Sequence, residues 1–97
     1  MQLNVQTIST QAGTAVHAVL DAPCSAVLVK NFGDSDIWVS TSTEATKTQG
    51  MVRIPPDTAQ VIKKNPPGVL DVDPWIQNLY ITADEAMTDA VEIQPVG

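Results

Sequence analysis

Cysteine and histidine each occur only once among the 97 residues, and this scarcity restricts the chemistry that the chain can perform. Cys24 has no second cysteine to pair with, and its apolar neighbours indicate a buried small side chain rather than a reactive thiol. Zinc sites and cupin-type metal sites need several histidines or cysteines close together. His17 is the only candidate for the base of a Ser–His–Asp or Cys–His site, and no neighbour marks it for that role. We therefore predict a non-enzymatic protein with no catalytic residue, cofactor or metal.

Basic residues and long apolar runs are also scarce. Five Lys and Arg residues stand against eleven Asp and Glu residues, so the net charge is −6, whereas nucleic-acid-binding proteins need a basic footprint. No apolar run approaches the roughly 20 residues that a membrane-spanning helix requires. Residues 1–4 lack the charged and apolar regions of a signal peptide. We expect synthesis in a reducing cytoplasm and a partner that is neither nucleic acid nor membrane.

Ser, Thr, Val and Ala are abundant, which is typical of strands and turns rather than helices. The clearest pattern is the stretch from Cys24 to Ser40. The run Ala26–Val29 is apolar on both faces, the run Asp36–Ser40 is β-branched and aromatic, and residues 31–35 have turn composition. This stretch predicts two strands joined as a hairpin at the centre of the fold.

The rest of the chain repeats the pattern of short strands and turns. Further strands are predicted within residues 2–8, 14–21, 51–54, 58–62, 75–82 and 90–96, with proline corners at 21–23 and 55–57 and loops at 41–50 and 63–74. About eight short antiparallel strands predict one all-β domain over residues 1–97, either a small β-sandwich or a jelly-roll-like barrel. Residues 1–10 form an edge strand or an N-terminal arm in this interpretation.

Two pairs of aspartates are spaced so that their carboxylates could approach the same ion. Asp34 and Asp36, and likewise Asp71 and Asp73, are two residues apart, as some calcium ligands are. Neither pair continues into the longer series of ligands that a calcium loop has. We therefore favour turn capping by these aspartates.

Candidate binding residues are the exposed apolar and aromatic side chains of the predicted arm, strands and loops. Trp38 alternates with apolar neighbours and Trp75 follows a proline-rich loop, so both core packing and interface anchoring remain open for each. An arm strand can also add to the edge of a neighbouring sheet. The predicted partner-binding residues are Leu3, Val5, Trp38, Pro66, Pro67 and Trp75.

The order of the segments between residues 26 and 93 carries a resemblance to a known family. A strand ending in Lys30-Asn31, a polar turn and the strand Ile37–Ser40 are followed by a Thr/Ser/Gly-rich loop, the Ile54-Pro55 corner and two late strands. This order resembles small virion proteins of tailed bacteriophages. The resemblance implies a capsid decoration (cement) protein, or a head or tail accessory protein, that is located in the virion. It also implies a homotrimer bound to the major capsid protein or to another virion protein.

An alternative function is a glycan- or receptor-binding accessory module of a phage particle. The Thr-rich loop lies between Trp38 and Trp75 in the sequence, and sugar-binding surfaces use exposed aromatic rings beside polar groups. Fluorescence of the two indoles in the presence of sugars separates this alternative from a purely structural role.

Overall fold

The computed structural model describes residues 5–42, 51–63 and 75–96. Its strands are, in chain order, β1 Gln6–Ile8, β2 Val16–Cys24, β3 Ala26–Asn31, β4 Ile37–Ser40, β5 Val52–Ile54, β6 Thr58–Ile62, β7 Ile76–Ala83 and β8 Val91–Val96. These ranges contain eight strands and no helix. The prediction of a small all-β fold with about eight short strands is confirmed.

The strands form two four-stranded antiparallel sheets, in the orders β1-β8-β3-β6 and β2-β7-β4-β5. The first strand pairs with the last, the second with the seventh, the third with the sixth, and the fourth with the fifth. Two further pairs, β3 with β8 and β4 with β7, complete the sheets. This nested pairing is the strand order of a jelly roll, in which an antiparallel ribbon wraps into two sheets.

The core lies between the two sheets and is built by side-chain alternation. Successive residues of a strand point to opposite faces, so every second side chain of each strand can enter the interior. The fully buried apolar residues are Val27, Val29, Ile37, Val39, Ile54, Leu79, Ile81, Ala83, Val91 and Ile93. Complete burial of one branched apolar side chain contributes about 1.5–3 kcal/mol, so this interior is the main stabilising feature of the fold.

The predicted hairpin between β3 and β4 is wrong, although both strands are present. β3 pairs with β6 and β8, whereas β4 pairs with β5 and β7 in the opposite sheet. Both strands bury apolar side chains, and placing them in opposite sheets lets both rows enter the same core. Local composition identifies the strands and the turn, but it does not specify which strands pair.

Asn31 directs the chain from β3 into the other sheet. It ends β3 and is completely buried. Its Nδ2 donates hydrogen bonds to the carbonyl oxygens of Ser35 (2.8 Å) and Ile54 (2.9 Å), and its Oδ1 accepts one from the backbone N–H of Gly33 (2.9 Å). The side chain thus replaces the ladder bonds that a hairpin turn would have made.

The predicted proline corner at residues 21–23 is also wrong, because β2 continues to Cys24. The pairing of β2 with β7 shifts in register between Val19 and Cys24, where a β-bulge or a similar irregularity interrupts the ladder. Pro23 lies in this irregular part of an edge strand and is exposed. Proline is tolerated there because a missing N–H on the edge removes no ladder bond.

The predicted arm is described only from residue 5 onward. Gln6–Ile8 pairs with Val91–Ile93 at the edge of the first sheet, and Ile8 packs against the core. Leu3, Pro66 and Pro67 lie outside the described residues, as do most of the two predicted loops.

Candidate partner-binding surface

One outer surface belongs to the β2-β7-β4-β5 sheet, and we call it the aromatic face. Its side chains alternate with core residues on each strand and therefore point away from the interior. They are His17 and Val19 on β2, Asn78, Tyr80 and Thr82 on β7, Trp38 on β4 and Arg53 on β5. The sheet register brings these separated residues together on one surface.

His17 and Tyr80 form a stacked pair at the β2 edge of the aromatic face. They are directly opposite in the register, and their ring centroids are 4.7 Å apart with an interplanar angle of 16°. His17 Nε2 also lies 2.8 Å from Asn78 Oδ1, and donates to it because that oxygen can only accept. These two contacts hold the ring of His17 in place, although the residue is exposed.

Trp38 and Arg53 occupy the other half of the aromatic face. Trp38 is half-buried and sits between Thr82 on β7 and Arg53 on β5. Arg53 Nε pairs with Asp36 Oδ2 at 2.8 Å, while the arginine side chain remains 63% exposed. Tyr80 is the diagonal neighbour of Trp38, at the separation of about 7–8 Å that aromatic side chains can bridge.

The second outer surface belongs to the β1-β8-β3-β6 sheet, and we call it the apolar face. Its outward side chains are Thr7 on β1, Leu28 and Lys30 on β3, Ala59 and Val61 on β6, and Glu92, Gln94 and Val96 on β8. Lys30 Nζ pairs with Glu92 Oε1 at 3.2 Å and reaches Gln94 Oε1 at 3.5 Å. The charges of Lys30 and Glu92, which both lie on the apolar face, therefore neutralise each other.

The loops at one end of the sandwich are fastened to each other. The hydroxyl of Thr10 donates to the carbonyl of Glu85 (2.8 Å) and accepts from the N–H of Met87 (2.9 Å). The backbone N–H of Phe32 donates to the carbonyl of Ala90 (2.7 Å). These bonds fix the loops that precede β2, β4 and β8, and Phe32 itself stays exposed.

The described residues among the predicted binding set do not form one site. Trp38 lies on the aromatic face, whereas Val5 precedes β1 of the opposite sheet and is exposed. Trp75 is exposed immediately before β7. Tyr80, Asn78 and Arg53 were not among the predicted binding residues. For Asn78 and Tyr80, the alternation in β7 was the available signal, because Asn78, Tyr80 and Thr82 separate the buried Leu79, Ile81 and Ala83.

Cys24 is buried, as predicted, with its Sγ 3.7 Å from the carbonyl oxygen of Ile76. Burial raises the pKa of the thiol, although backbone hydrogen bonds to Ala26 and Val96 oppose the shift. The side chain therefore stays protonated at neutral pH, and a protonated buried thiol is a poor nucleophile.

The acidic residues of residues 5–42, 51–63 and 75–96 do not gather around a common point. In these ranges no group of three or more His, Cys, Asp or Glu side chains could hold a metal ion. Asp36, from one of the predicted capping pairs, bonds to Arg53. Asp71 and Asp73 lie outside the described residues.

The described part of the chain contains no helix long and apolar enough to cross a membrane. Comparisons with protein-family models, with curated proteins and with solved structures find no match to this chain.

Proposed function

We propose that the chain is a non-enzymatic structural protein of a phage particle that binds the major capsid protein, or another virion protein, as a homo-oligomer and stabilises the lattice. The observation that carries the proposal is the meeting of Trp38, Tyr80 and Arg53 on the aromatic face. Trp, Tyr and Arg are the residue types most enriched at the energetic centres of protein interfaces.

The geometry of the aromatic face supports binding by surface contact. Antiparallel strands hold the backbone of this face in fixed register, so little backbone conformational entropy is lost when a partner docks. The Arg53–Asp36 pair keeps a planar guanidinium in position while most of that side chain is exposed. The jelly-roll order adds a fold-level analogy, since viral capsid domains share it with lectins and cupins.

A capsid-binding assay tests the proposal. Empty capsids of the phage that would encode the chain under this proposal are sedimented with increasing amounts of the chain. We expect saturable binding at a fixed ratio to the capsid subunit. Repetition on a lattice multiplies weak contacts, so binding to assembled capsids should exceed binding to free subunits. A chain that stays in the supernatant at every concentration contradicts the proposal.

Matched charge reversals locate the binding surface. Arg53→Glu lies on the aromatic face, and Lys63→Glu lies just beyond β6 of the other sheet; both side chains are exposed and both changes take the net charge from −6 to −8. We expect Arg53→Glu to weaken capsid binding about tenfold or more and Lys63→Glu to leave it nearly unchanged. Equal loss in both variants would indicate general charge repulsion instead of a defined contact.

A glycan-binding module is the second candidate, and the stacked His17–Tyr80 pair beside the Asn78 amide favours it. Aromatic rings next to hydrogen-bonding groups can bind a sugar by stacking and by polar contacts. Titration with a sugar panel should then shift the fluorescence of Trp38, and Tyr80→Ala should abolish the shift. If the chain binds capsids and no sugar changes the fluorescence of Trp38, the structural role is supported and the glycan-binding role is not.

A further inference from the structure

Strand β6 turns two apolar side chains toward the outer face and two polar side chains toward the inner side, while its last residue, Ile62, is buried in the core. The outer face of such a sheet is normally polar and the inner face apolar. In β6, Ala59 and Val61 point outward, because they pair with the outward-facing Lys30 and Leu28. Thr58 and Gln60 pair instead with the buried Asn31 and Val29. Ala59 and Val61 therefore place apolar surface on the outside of this sheet, at its edge.

The apolar side chains of the apolar face lie next to one another across the sheet. Leu28 pairs with Val61 on one side and with Gln94 on the other, and Val96 pairs with Ala26 in the adjacent row. Val61 and Val96 are exposed, and Leu28 is half-buried. The result is a contiguous patch that crosses three strands, not a set of isolated apolar residues.

The distribution of charge indicates what covers this patch. Lys30 and Glu92 neutralise each other on the apolar face. The described residues outside that face hold seven carboxylates, Asp21, Asp34, Asp36, Asp57, Asp84, Glu85 and Asp89, against the two cations Arg53 and Lys63. Two copies of the chain therefore repel each other through their acidic surfaces and can approach most easily through their apolar faces.

We propose that a second copy of this chain covers the apolar face, in a pair related by a two-fold axis. A two-fold contact places the same patch on both copies, so each Lys30 meets a face that carries Glu92. Because both copies use the same patch, the contact joins two copies and leaves no patch for a third. The expected assembly is therefore a dimer, in contrast to the trimer implied by the family resemblance. Formation of the pair does not require the capsid partner, because the two copies associate in the isolated protein.

The size of the face sets the expected strength of the pair. Four strands about 4.8 Å apart give a face about 19 Å wide, and its longest strands, of 6 residues, give it a length of about 20 Å at about 3.3 Å per residue. The resulting area of about 400 Å² is small beside the roughly 800 Å² that each partner buries in a standard interface. We therefore expect a weak, concentration-dependent dimer. Such a contact becomes effective when copies are already held close together.

Sedimentation equilibrium of the full chain over a range of concentrations tests the pair. Val61→Glu is compared with Val19→Glu, which changes the same residue type on an edge strand of the other sheet at nearly identical exposure (52% and 53%). We expect a monomer–dimer equilibrium in the unmodified chain and in Val19→Glu, and about tenfold or more weaker association in Val61→Glu. A monomer at all concentrations, a three-copy mass, or equal loss in both variants overturns the proposal.

Charge complementation provides a second, independent test. Lys30→Glu makes the charged pair of the face wholly acidic, and Glu92→Lys makes it wholly basic. Each variant alone should associate about tenfold or more weakly than the unmodified chain, whereas a mixture of the two should form a heterodimer. Thermal melts confirm that each variant is folded. If the mixture associates no better than its components, the two faces do not meet.

Discussion

Asn31 Nδ2, in the β1-β8-β3-β6 sheet, donates a 2.9 Å hydrogen bond to the carbonyl oxygen of Ile54, in the opposite sheet. Both residues are completely buried, so this bond fastens the two halves of the sandwich where water is absent. The backbone carbonyl of Asn31 also accepts from the N–H of Asp57 at 2.8 Å. Asn31 therefore links two connections of the jelly roll, the one from β3 to β4 and the turn from β5 to β6.

Asn31→Ala should destabilise the protein by about 3 kcal/mol or more. The change leaves the carbonyls of Ser35 and Ile54 without their donor, and each buried unsatisfied group costs about 1–3 kcal/mol. Urea denaturation measures the loss. Asn78→Ala, on an exposed asparagine, serves as the control and should cost less than about 1 kcal/mol. Equal losses in the two variants would show that the buried amide has no special role.

Thr10→Val should cost about 2 kcal/mol, although valine has nearly the shape of threonine. The hydroxyl both donates to Glu85 and accepts from Met87, and Thr10 is almost fully buried. Thr10→Ser retains the hydroxyl and should recover most of the stability. If the valine variant is as stable as the unmodified chain, the two hydrogen bonds of Thr10 contribute nothing and the apolar part of its side chain supplies the stabilisation.

Gly33→Ala and Gly13→Ala should both destabilise, but for different reasons. A Cβ at Gly33 would collide with Met87 Sδ and lie 3.1 Å from Ala90 Cβ, whereas Gly13 has open space but a φ of +69°. Adding Met87→Ala should therefore relieve part of the cost at Gly33 and none of the cost at Gly13. Thermal melts of the single and double variants measure this coupling. Additive effects at both glycines would contradict the steric account.

Cys24 should make the stability fall at alkaline pH. Burial raises the folded-state pKa of the thiol above its ordinary value of 9.0, so the unfolded chain releases the proton first. The contribution is complete below about pH 9 and declines above it, by at most about 1.4 kcal/mol per pH unit. Urea denaturation between neutral and alkaline pH measures the slope. Cys24→Ala should flatten it, and an unchanged slope would assign it to other groups.

The sequence predicted the strands better than it predicted their partners. Alternation in β7 and β8 marks Leu79, Ile81, Val91 and Ile93 as core residues, because a period of two is a local property. The pairing of β3 is not local. Its partners β6 and β8 are distant in sequence, and the crossing to β4 depends on bonds from Asn31 that require Ile54 to be in place.

The aromatic face was predictable only in part, for the same reason. The alternation around Trp38 allowed an outward-facing indole to be anticipated. Its neighbours Tyr80 and Arg53 come from β7 and β5, and they reach Trp38 only after the sheet order β2-β7-β4-β5 is established. The residues of a surface that spans several strands can therefore be identified only when the order of those strands is known.

The position of β8 between β1 and β3 has a consequence for synthesis on the ribosome. Neither β1 nor the β3–β6 pair can join into one sheet until residues 91–96 have been translated, because β8 is the element that bridges them. A nascent chain halted before Val91 keeps Ile8, Val27 and Val29 without the strand that helps to enclose them. We therefore expect the first sheet to close only after residues 91–96 have left the ribosome, with apolar side chains of the earlier strands exposed until then.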